Sequence, residues 1–507
     1  MEYAATALIA APAVTAGLAF LRRTPRWKGL ASQGGALVTL FLSWWLAAGV
    51  LTGRTHLEWG GALRVDALSA LLIALIGLVT TIAALASPRY LAGEQAHGAA
   101  GKGDLSGYYV WFHLFVATMF MVVTTDNLGL MWAAIEATTL ASAFMVGFYR
   151  KPHALEAAWK YVILCTVGIA LALLGTAVTY AAALKLAGSA PATLSWSRLA
   201  GLAQHLDPRL MKLAFILVVV GYGTKAGFAP LHTWLPDAHS QAPSPVSAML
   251  SGVLLSCALY AILRFYALVN AAVGVGFAGN LLLGFGLFSM LVAVPFMALQ
   301  TDLKRLLAYS SIEHVGVIAA GLGVGGPLGV AGALYHLFFH GIGKSLLFLS
   351  AGEVVRAYHT RRMHRVRGVL KRLPLPGVAL LAGTLAITGT PPSALFVSEW
   401  SIVTAAFGRG KAWAGALFLA AVAVIFGALL YHVGRMVFGE PPAYLRARWA
   451  AGAREAAASA EAGATGWGPL EAFLAVFCLV ALLAGGLFVP GPVWGVLTRI
   501  GRVLGVS

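Results

Sequence analysis

Residues 211–245 read MKLAFILVVVGYGTKAGFAPLHTWLPDAHSQAPSP. An apolar run long enough to enter a bilayer carries a lysine, Lys225, and then dissolves into Gly, Pro, His and Asp. A charge at the centre of a membrane helix costs about 2.5–3.5 kcal/mol on insertion scales, and such residues mark ion or substrate paths. Lys225 lies too deep in the run to snorkel to the interface. Broken backbone at membrane depth is tolerated only where it is buried in protein or lines a hydrated cavity. The charge and the break therefore belong to one polar site inside a membrane helix.

The whole chain agrees with that reading. Its 507 residues are 60% hydrophobic and 10% charged, with a mean hydropathy of +0.83. Soluble domains carry about 25% charged residues, so a soluble enzyme and a single-anchor protein are both excluded. The net charge of +17, from 35 Lys+Arg against 18 Asp+Glu, reads as basic loops on the cytoplasmic side of a bilayer rather than as a nucleic-acid surface. Cys165, Cys257 and Cys478 sit singly in apolar stretches, with no zinc, iron–sulfur or disulfide spacing. The first apolar run, 4–20, lacks a preceding basic region and reads as a retained span, not a cleaved signal.

Hydropathy predicts an all-α polytopic protein with about fourteen transmembrane helices, each near the ~20 residues a bilayer requires. Two are interrupted, at the stretch above and at GTPPSALFVSEW (389–400). Paired breaks five spans apart, each with an ionisable residue nearby, predict repeated halves that the odd offset inverts relative to each other. The expected divisions are 1–107 (spans one to three), 108–270 and 271–438 (the repeats), 439–468 (a connector) and 469–507 (the last span). Basic clusters at Arg22/Arg23/Arg26/Lys28, Arg150/Lys151, Lys304/Arg305 and RAYHTRRMHRVRGVLKRLP (356–374) fall on one side if spans alternate. That side is then cytoplasmic, with both termini outside the cell membrane.

Ionisable residues inside spans are the functional candidates. Glu136 lies in LGLMWAAIEATTLASAFMVGFY with apolar neighbours, and Glu399 follows the second break. Lys160 opens a span, where a relay role and snorkelling weigh equally. His232 stands just past the first break, placed to pass protons or to cap a loop. His336, His340 and Lys344 recur at i, i+4 and i+8 on one helix face. Such a row suits a proton relay; a metal or haem would need further ligands that this face lacks. Glu313 and His314 either extend the row or serve as cap and ion pair. Acids and bases thus alternate across successive helices, a pattern that fits H⁺ transfer or Na⁺ binding.

At these residues the chain resembles the antiporter-like subunits of complex I and related membrane hydrogenases, most nearly the F-type membrane component of the hydrogenase-4 (formate hydrogenlyase) branch. The resemblance rests on MWAAIEATTLASAF (131–144), EAAWKYVILCTVGIALALLGT (156–176), GYGTKAGFAPLHTWLPDAHSQAPSPVSAMLSGVLL (221–255), TDLKRLLAYSSIEHVG (301–316), HLFFHGIGKSLLF (336–348) and GTPPSALFVSEW (389–400). It implies that two inverted five-helix repeats hold the breaks, and that Glu136 pairs with Lys225 on a route ending at Glu399, driven by redox chemistry in neighbouring subunits. It also implies nickel–iron and iron–sulfur centres in those partners, none in this chain. The expected partners are other antiporter-like and membrane-anchor subunits and a peripheral hydrogenase or dehydrogenase arm. Quinone-reducing members often place a lysine or histidine in span eight; LLSCALYAILRF has Ser256 or Cys257 there. Alternatives are an Mrp-type cation/proton antiporter subunit, a carbon-uptake-coupled relative, and a scaffold whose charges only fix helix packing.

Overall fold

Residues 3–21, 24–51, 53–96, 104–187, 193–440 and 466–506 are described by a computed structural model. Arg22, Arg23 and nearly all of the expected connector lie outside these residues. The chain opens with α1 (Ala4–Leu21), α2 (Pro25–Leu51), a hairpin of β1 (His56–Glu58) and β2 (Leu63–Val65), α3 (Ala67–Ala96), α4 (Asp104–Thr124), α5 (Leu128–Val146) and α6 (Pro152–Ala187). Next come α7 (Trp196–Leu202), α8 (Pro208–Ala226), α9 (Trp234–Gln241), and α10 (Ser244–Met249), which runs through a π turn into α11 (Leu255–Val273). The remainder is α12 (Phe277–Ala298), α13 (Leu303–Val324), α14 (Gly326–Tyr358), the short α15 (Val369–Arg372), α16 (Pro374–Ile387), α17 (Ala394–Gly408), α18 (Ala412–Phe438), α19 (Pro469–Leu487) and α20 (Gly491–Val503).

Among the described residues eleven helices are long and apolar enough to cross a membrane. The other positions where the sequence expects spans hold α8, α14 and the pair α16/α17. The first two carry Lys225 and the His336/His340/Lys344 row, and the pair is cut to 14 and 15 residues by the second break. Local chemistry sets the boundaries. Asn127, Asp207, Asp302 and Ser393 accept backbone N–H bonds at the starts of α5, α8, α13 and α17, satisfying donors with no intrahelical partner.

Solvation sorts the helices. The 18-residue apolar windows of α10–α11 and α13 are wholly buried, whereas that of α19 is 28% buried. Phe41, Trp45, Ile163, Val167, Val424 and Phe473 point outward from the peripheral helices, a surface only lipid or other apolar chains can cover. Small residues let backbones close up in the interior: a side chain at Gly221 would collide with α6 at Ala172 and Gly168, and one at Gly286 with α13 at Gly316 and Ala320.

Loops gather at two ends. At one, β2 bridges Thr125 through Leu63, Asn127 bridges Ser195, and Arg499 of α20 reaches the Leu51 carbonyl. At the other, Lys28 reaches Ser106, Lys304 bonds the Ala242 carbonyl, and Arg361 bonds the Ser240 carbonyl and pairs with Asp302. The described basic loops therefore share one end of the bundle, as span alternation requires.

Candidate functional site

The first break is closed by protein groups. Gly227 ends α8 in the left-handed region (φ 90°), and its N–H bonds back to Thr224. Beyond it the Trp234 indole donates to the Thr224 carbonyl at 2.8 Å, and the Ala229 N–H donates to Ser289 Oγ at 3.0 Å. Groups freed by the break thus find side-chain partners, where the sequence alone suggested hydration.

Lys225, 1% exposed, projects from the last turn of α8. Its Nζ donates to Tyr161 Oη at 2.6 Å and Thr139 Oγ1 at 2.7 Å, and it lies 4.6 Å from the centre of the Tyr161 ring. Glu136, half-buried on α5, holds Thr166 Oγ1 at 3.0 Å and Thr139 Oγ1 at 3.4 Å. No ion pair joins Glu136 to Lys225 among the described residues. Where the resemblance implies a direct pair, Thr139 stands between, one turn along α5 from Glu136 and bonded to both. Ser142, a further turn along, is 2.7 Å from Tyr161 Oη and completes the polar lining.

The second cluster forms where α13, α14 and α17 meet. Lys344 donates to the Leu307 carbonyl at 2.9 Å and to the Ser310 hydroxyl. His336 Nε2 faces His314 Nδ1 at 3.0 Å, and His336 Nδ1 lies 2.8 Å from Ser398 Oγ. The His340 ring centre is 5.1 Å from that of His314, and Glu313 Oε2 is 3.2 Å from His314 Nδ1. Glu399, 7% exposed, sits beside the second break. There Gly389 adopts φ 65°, and a side chain on it would occupy the space of the Glu399 carboxylate.

When both rings are neutral, hydrogen-bond supply favours one pair of tautomers. Ser398 donates its single proton to the Leu395 carbonyl at 2.6 Å, so His336 Nδ1 is the donor to Ser398. His336 Nε2 then accepts from His314 Nδ1, leaving His314 Nε2, buried and without a hydrogen-bond partner, to carry a bare lone pair. The cluster is an oriented chain, not a loose row.

Between the clusters lies the span-eight position. Cys257 is buried within electrostatic range of Lys225, and Ser256 bonds its own helix at Gly252. One turn earlier the π turn presents Ser251 to Ser311 at 2.7 Å, and Ser311 and Ser310 share the Leu307 carbonyl with Lys344. Hydroxyls therefore occupy the space between the two clusters; π turns of this kind recur at functional sites. His239 is buried nearby with both ring nitrogens unpartnered, stacked 5.3 Å from Phe348 and within electrostatic range of Lys304 and Lys344.

Two candidates stand apart. Lys160 is exposed and pairs with Glu156 at 2.6 Å and Asp237 at 3.5 Å, in a surface network shared with Arg305. His232 packs beside Tyr309 and Phe296 and is hydrogen-bonded to no member of either cluster among the described residues. Sequence reading passed over Thr139, Tyr161, Ser251 and Ser398, because hydroxyls in membrane helices are common and carry no signal alone. It also passed over Arg264, although a charge within an apolar run is such a signal. Arg264 makes a buried bidentate pair with Asp66, at 2.6 and 2.9 Å.

A bundle of apolar helices, two of them broken, with lysines, histidines and glutamates buried in its centre, is the architecture of an ion-conducting membrane protein. A family described as "NADH:quinone oxidoreductase/Mrp antiporter, TM" matches residues 125–427, and the chain belongs to it. The chain is similar to the hydrogenase-4 component F homolog of Methylacidiphilum infernorum (isolate V4), 40% identical over 382 residues, 75% of this chain and 80% of that one. It is 31% identical over 478 residues to NADH-quinone oxidoreductase subunit L of Mycobacterium tuberculosis (strain ATCC 25618 / H37Rv), covering 88% and 70% respectively. A chain in the structure of the membrane-bound sulfane sulfur reductase, an archaeal respiratory membrane complex, superposes with a TM-score of 0.84 at 24% identity, covering 99% and 97%.

Proposed function

We propose that this chain moves protons through the membrane as an antiporter-like subunit of a hydrogenase-4-like or complex I-like assembly. The observation that carries the reading is the succession of buried and half-buried polar groups across the bundle, in two hydrogen-bonded clusters with hydroxyls between them. It runs from Glu136 through Thr139 to Lys225 and Tyr161. Beyond the Ser251/Ser311 hydroxyls it continues through Lys344, His340, His314 and His336 to Glu399. Structure alone would not demand these charges, since apolar replacements of buried pairs are often as stable. Lys304, Tyr90, Tyr149, Ser244 and Arg361 line a cavity of about 170 Å³ at the basic end, a polar recess that water could enter from that side.

In this reading the basic end faces the cytoplasm of a cell inner membrane, and about fourteen crossings form two inverted repeats, 108–270 and 271–438. Each repeat ends a half-helix at a left-handed glycine, Gly227 or Gly389, beside Lys225 or Glu399. Electrons travel in partner subunits that hold nickel–iron or iron–sulfur centres. The parallel reading, an Mrp-type cation/proton antiporter subunit, uses the same series without redox drive.

Lys225→Met and Glu136→Gln tested in vesicles of the intact complex decide the first point. Both should assemble and lose most ion translocation; wild-type coupling in both would overturn the relay. Partners that co-purify, redox subunits or cation-antiporter subunits, decide between the two readings.

A further inference from the structure

We propose that His314, His336 and Glu399 form a binding site for a divalent cation of the zinc type. One ligand atom from each residue lies within 4.8 Å of the other two, and all three side chains are buried. They come from α13, α14 and α17, so no sequence spacing announces them. The inference rests on the relay reading only for its consequence, that such a cation would stop the relay.

The site is built rather than coincidental. Zinc takes two histidines and a carboxylate with a fourth, open position, at metal–ligand distances of ~2.0–2.2 Å. Around a tetrahedral ion two such nitrogens stand about 3.3 Å apart; His314 Nδ1 and His336 Nε2 stand 3.0 Å apart, so a few tenths of an ångström suffice. Metal-bound histidines usually give their second N–H to an oxygen partner that fixes the ring. His336 does so through Ser398, which leaves its Nε2 lone pair directed at the shared point. For His314 to ligate through Nδ1, its proton shifts to Nε2, the nitrogen without a hydrogen-bond partner. The Glu399 carboxylate makes no hydrogen bond or ion pair among the described residues, and Gly389 leaves the space it occupies.

Charge is compatible as well. Glu399 and Glu313 face the point from two helices, and Lys344 is the cation within electrostatic range of His314, His336 and Glu313. With all three ionised the surroundings carry one net negative charge, which a dication satisfies. Bound there, the ion takes the His336 lone pair that the His314 proton otherwise uses. The histidine step of the relay is then closed.

The experiment uses the full-length protein equilibrated with micromolar free Zn²⁺. Metal content is measured after removal of loose ion, and the zinc environment by X-ray absorption. Wild type should keep one zinc that His314→Ala, His336→Ala and Glu399→Gln each weaken at least 100-fold, with an imidazole-rich nitrogen/oxygen shell. Ser398→Ala, which keeps all three ligands, should weaken binding 10–100-fold. No retained zinc in wild type, or equal retention in all variants, overturns the site. Lys225→Met separates this from the relay: it should bind zinc as wild type does. Were that variant to pump normally while zinc still required His314 and His336, the relay would fall and the site would stand.

Discussion

His314 Nδ1 and His336 Nε2 stand 3.0 Å apart, and Ser398 settles which of them holds the proton between them. Ser398→Ala should leave the helices packed, at a cost of about 1 kcal/mol for one hydrogen bond. Without the hydroxyl, His336 loses its preference for the Nδ1–H form and the chain loses its direction. We expect proton translocation in vesicles to slow about tenfold, the equivalent of ~1.4 kcal/mol in barrier. Nitrogen-15 spectra of labelled histidine should show mixed tautomers at His336. Unchanged tautomers and an unchanged rate would refute the assignment.

Thr139 carries the second prediction. It bridges Glu136 and Lys225, which form no ion pair, so Thr139→Val should leave them only their electrostatic coupling while keeping the side chain's shape. A hydrogen bond to a charged group contributes about 1.5–3 kcal/mol, and the translocation rate should drop by at least tenfold. Tyr161→Phe keeps the ring over the Lys225 ammonium and removes only the 2.6 Å bond, so its effect should be smaller. If the electrostatic coupling of Glu136 to Lys225 alone sufficed, Thr139→Val would be silent.

How far the sequence carried this picture depends on what each residue announces by itself. Lys225, Glu136, Glu399 and the His336/His340/Lys344 row are legible because charge in an apolar helix is costly wherever it occurs. The two breaks are legible through Gly and Pro. Glu313 and His314 were recognised as a possible extension, yet only the packing of α13 on α14 turns His314 toward His336. The convergence of His314, His336 and Glu399 comes from residues up to 85 positions apart on three helices, which periodicity within one helix does not report. Lys160 shows the converse. It reads as a charge at a span boundary, and the turn of α9 brings Asp237 to it at the surface.

Gly389 supplies the third prediction. A residue with a side chain pays about 1–2 kcal/mol in the left-handed region, and here that side chain would also displace Glu399. Gly389→Ala should lower thermal stability and abolish most translocation. Gly227→Ala shares the backbone penalty, but its side chain would meet the flexible Leu235 instead. It should therefore cost similar stability with a milder loss of flux. Equal loss of flux in the two variants would show that Glu399 does not depend on the Gly389 notch.

Outside the membrane, Glu58 ties the hairpin to α1 by accepting the Ala5 and Thr6 N–H groups and the Thr6 hydroxyl, with His56 Nε2 at 2.7 Å. Burial raises its carboxyl pKa, but these bonds outweigh burial and leave it below the ordinary value. A depressed pKa means stability present above the unfolded value of about 4.3 and lost as pH falls through the folded value. Amide exchange at Ala5 and Thr6, corrected for intrinsic rate, should be constant from neutral pH down to about 5 and accelerate in more acid solution. Glu58→Gln should remove that dependence; an acid acceleration that persists in the variant would place its origin elsewhere.

Asp66 and Arg264 test what a buried pair is for in this fold. Arg264 reaches both Asp66 oxygens, lies 4.4 Å from the centre of the Trp196 ring and is bonded to Tyr260 Oη at 2.8 Å. The pair clamps α11 to the start of α3, where Asp66 also accepts the Ser69 N–H as a cap. Asp66→Asn strands Arg264 and should destabilise by about 3–5 kcal/mol in detergent unfolding, whereas Arg264→Met leaves Asp66 the Arg64 guanidinium at 3.9 Å and should cost less. Replacing both, Asp66→Asn with Arg264→Met, retains the cap and removes both charges, and should recover most of that loss. Translocation should follow stability here, because neither residue joins the series from Glu136 to Glu399. A double variant that is fully stable yet fails to conduct would instead extend the conducting series to this pair.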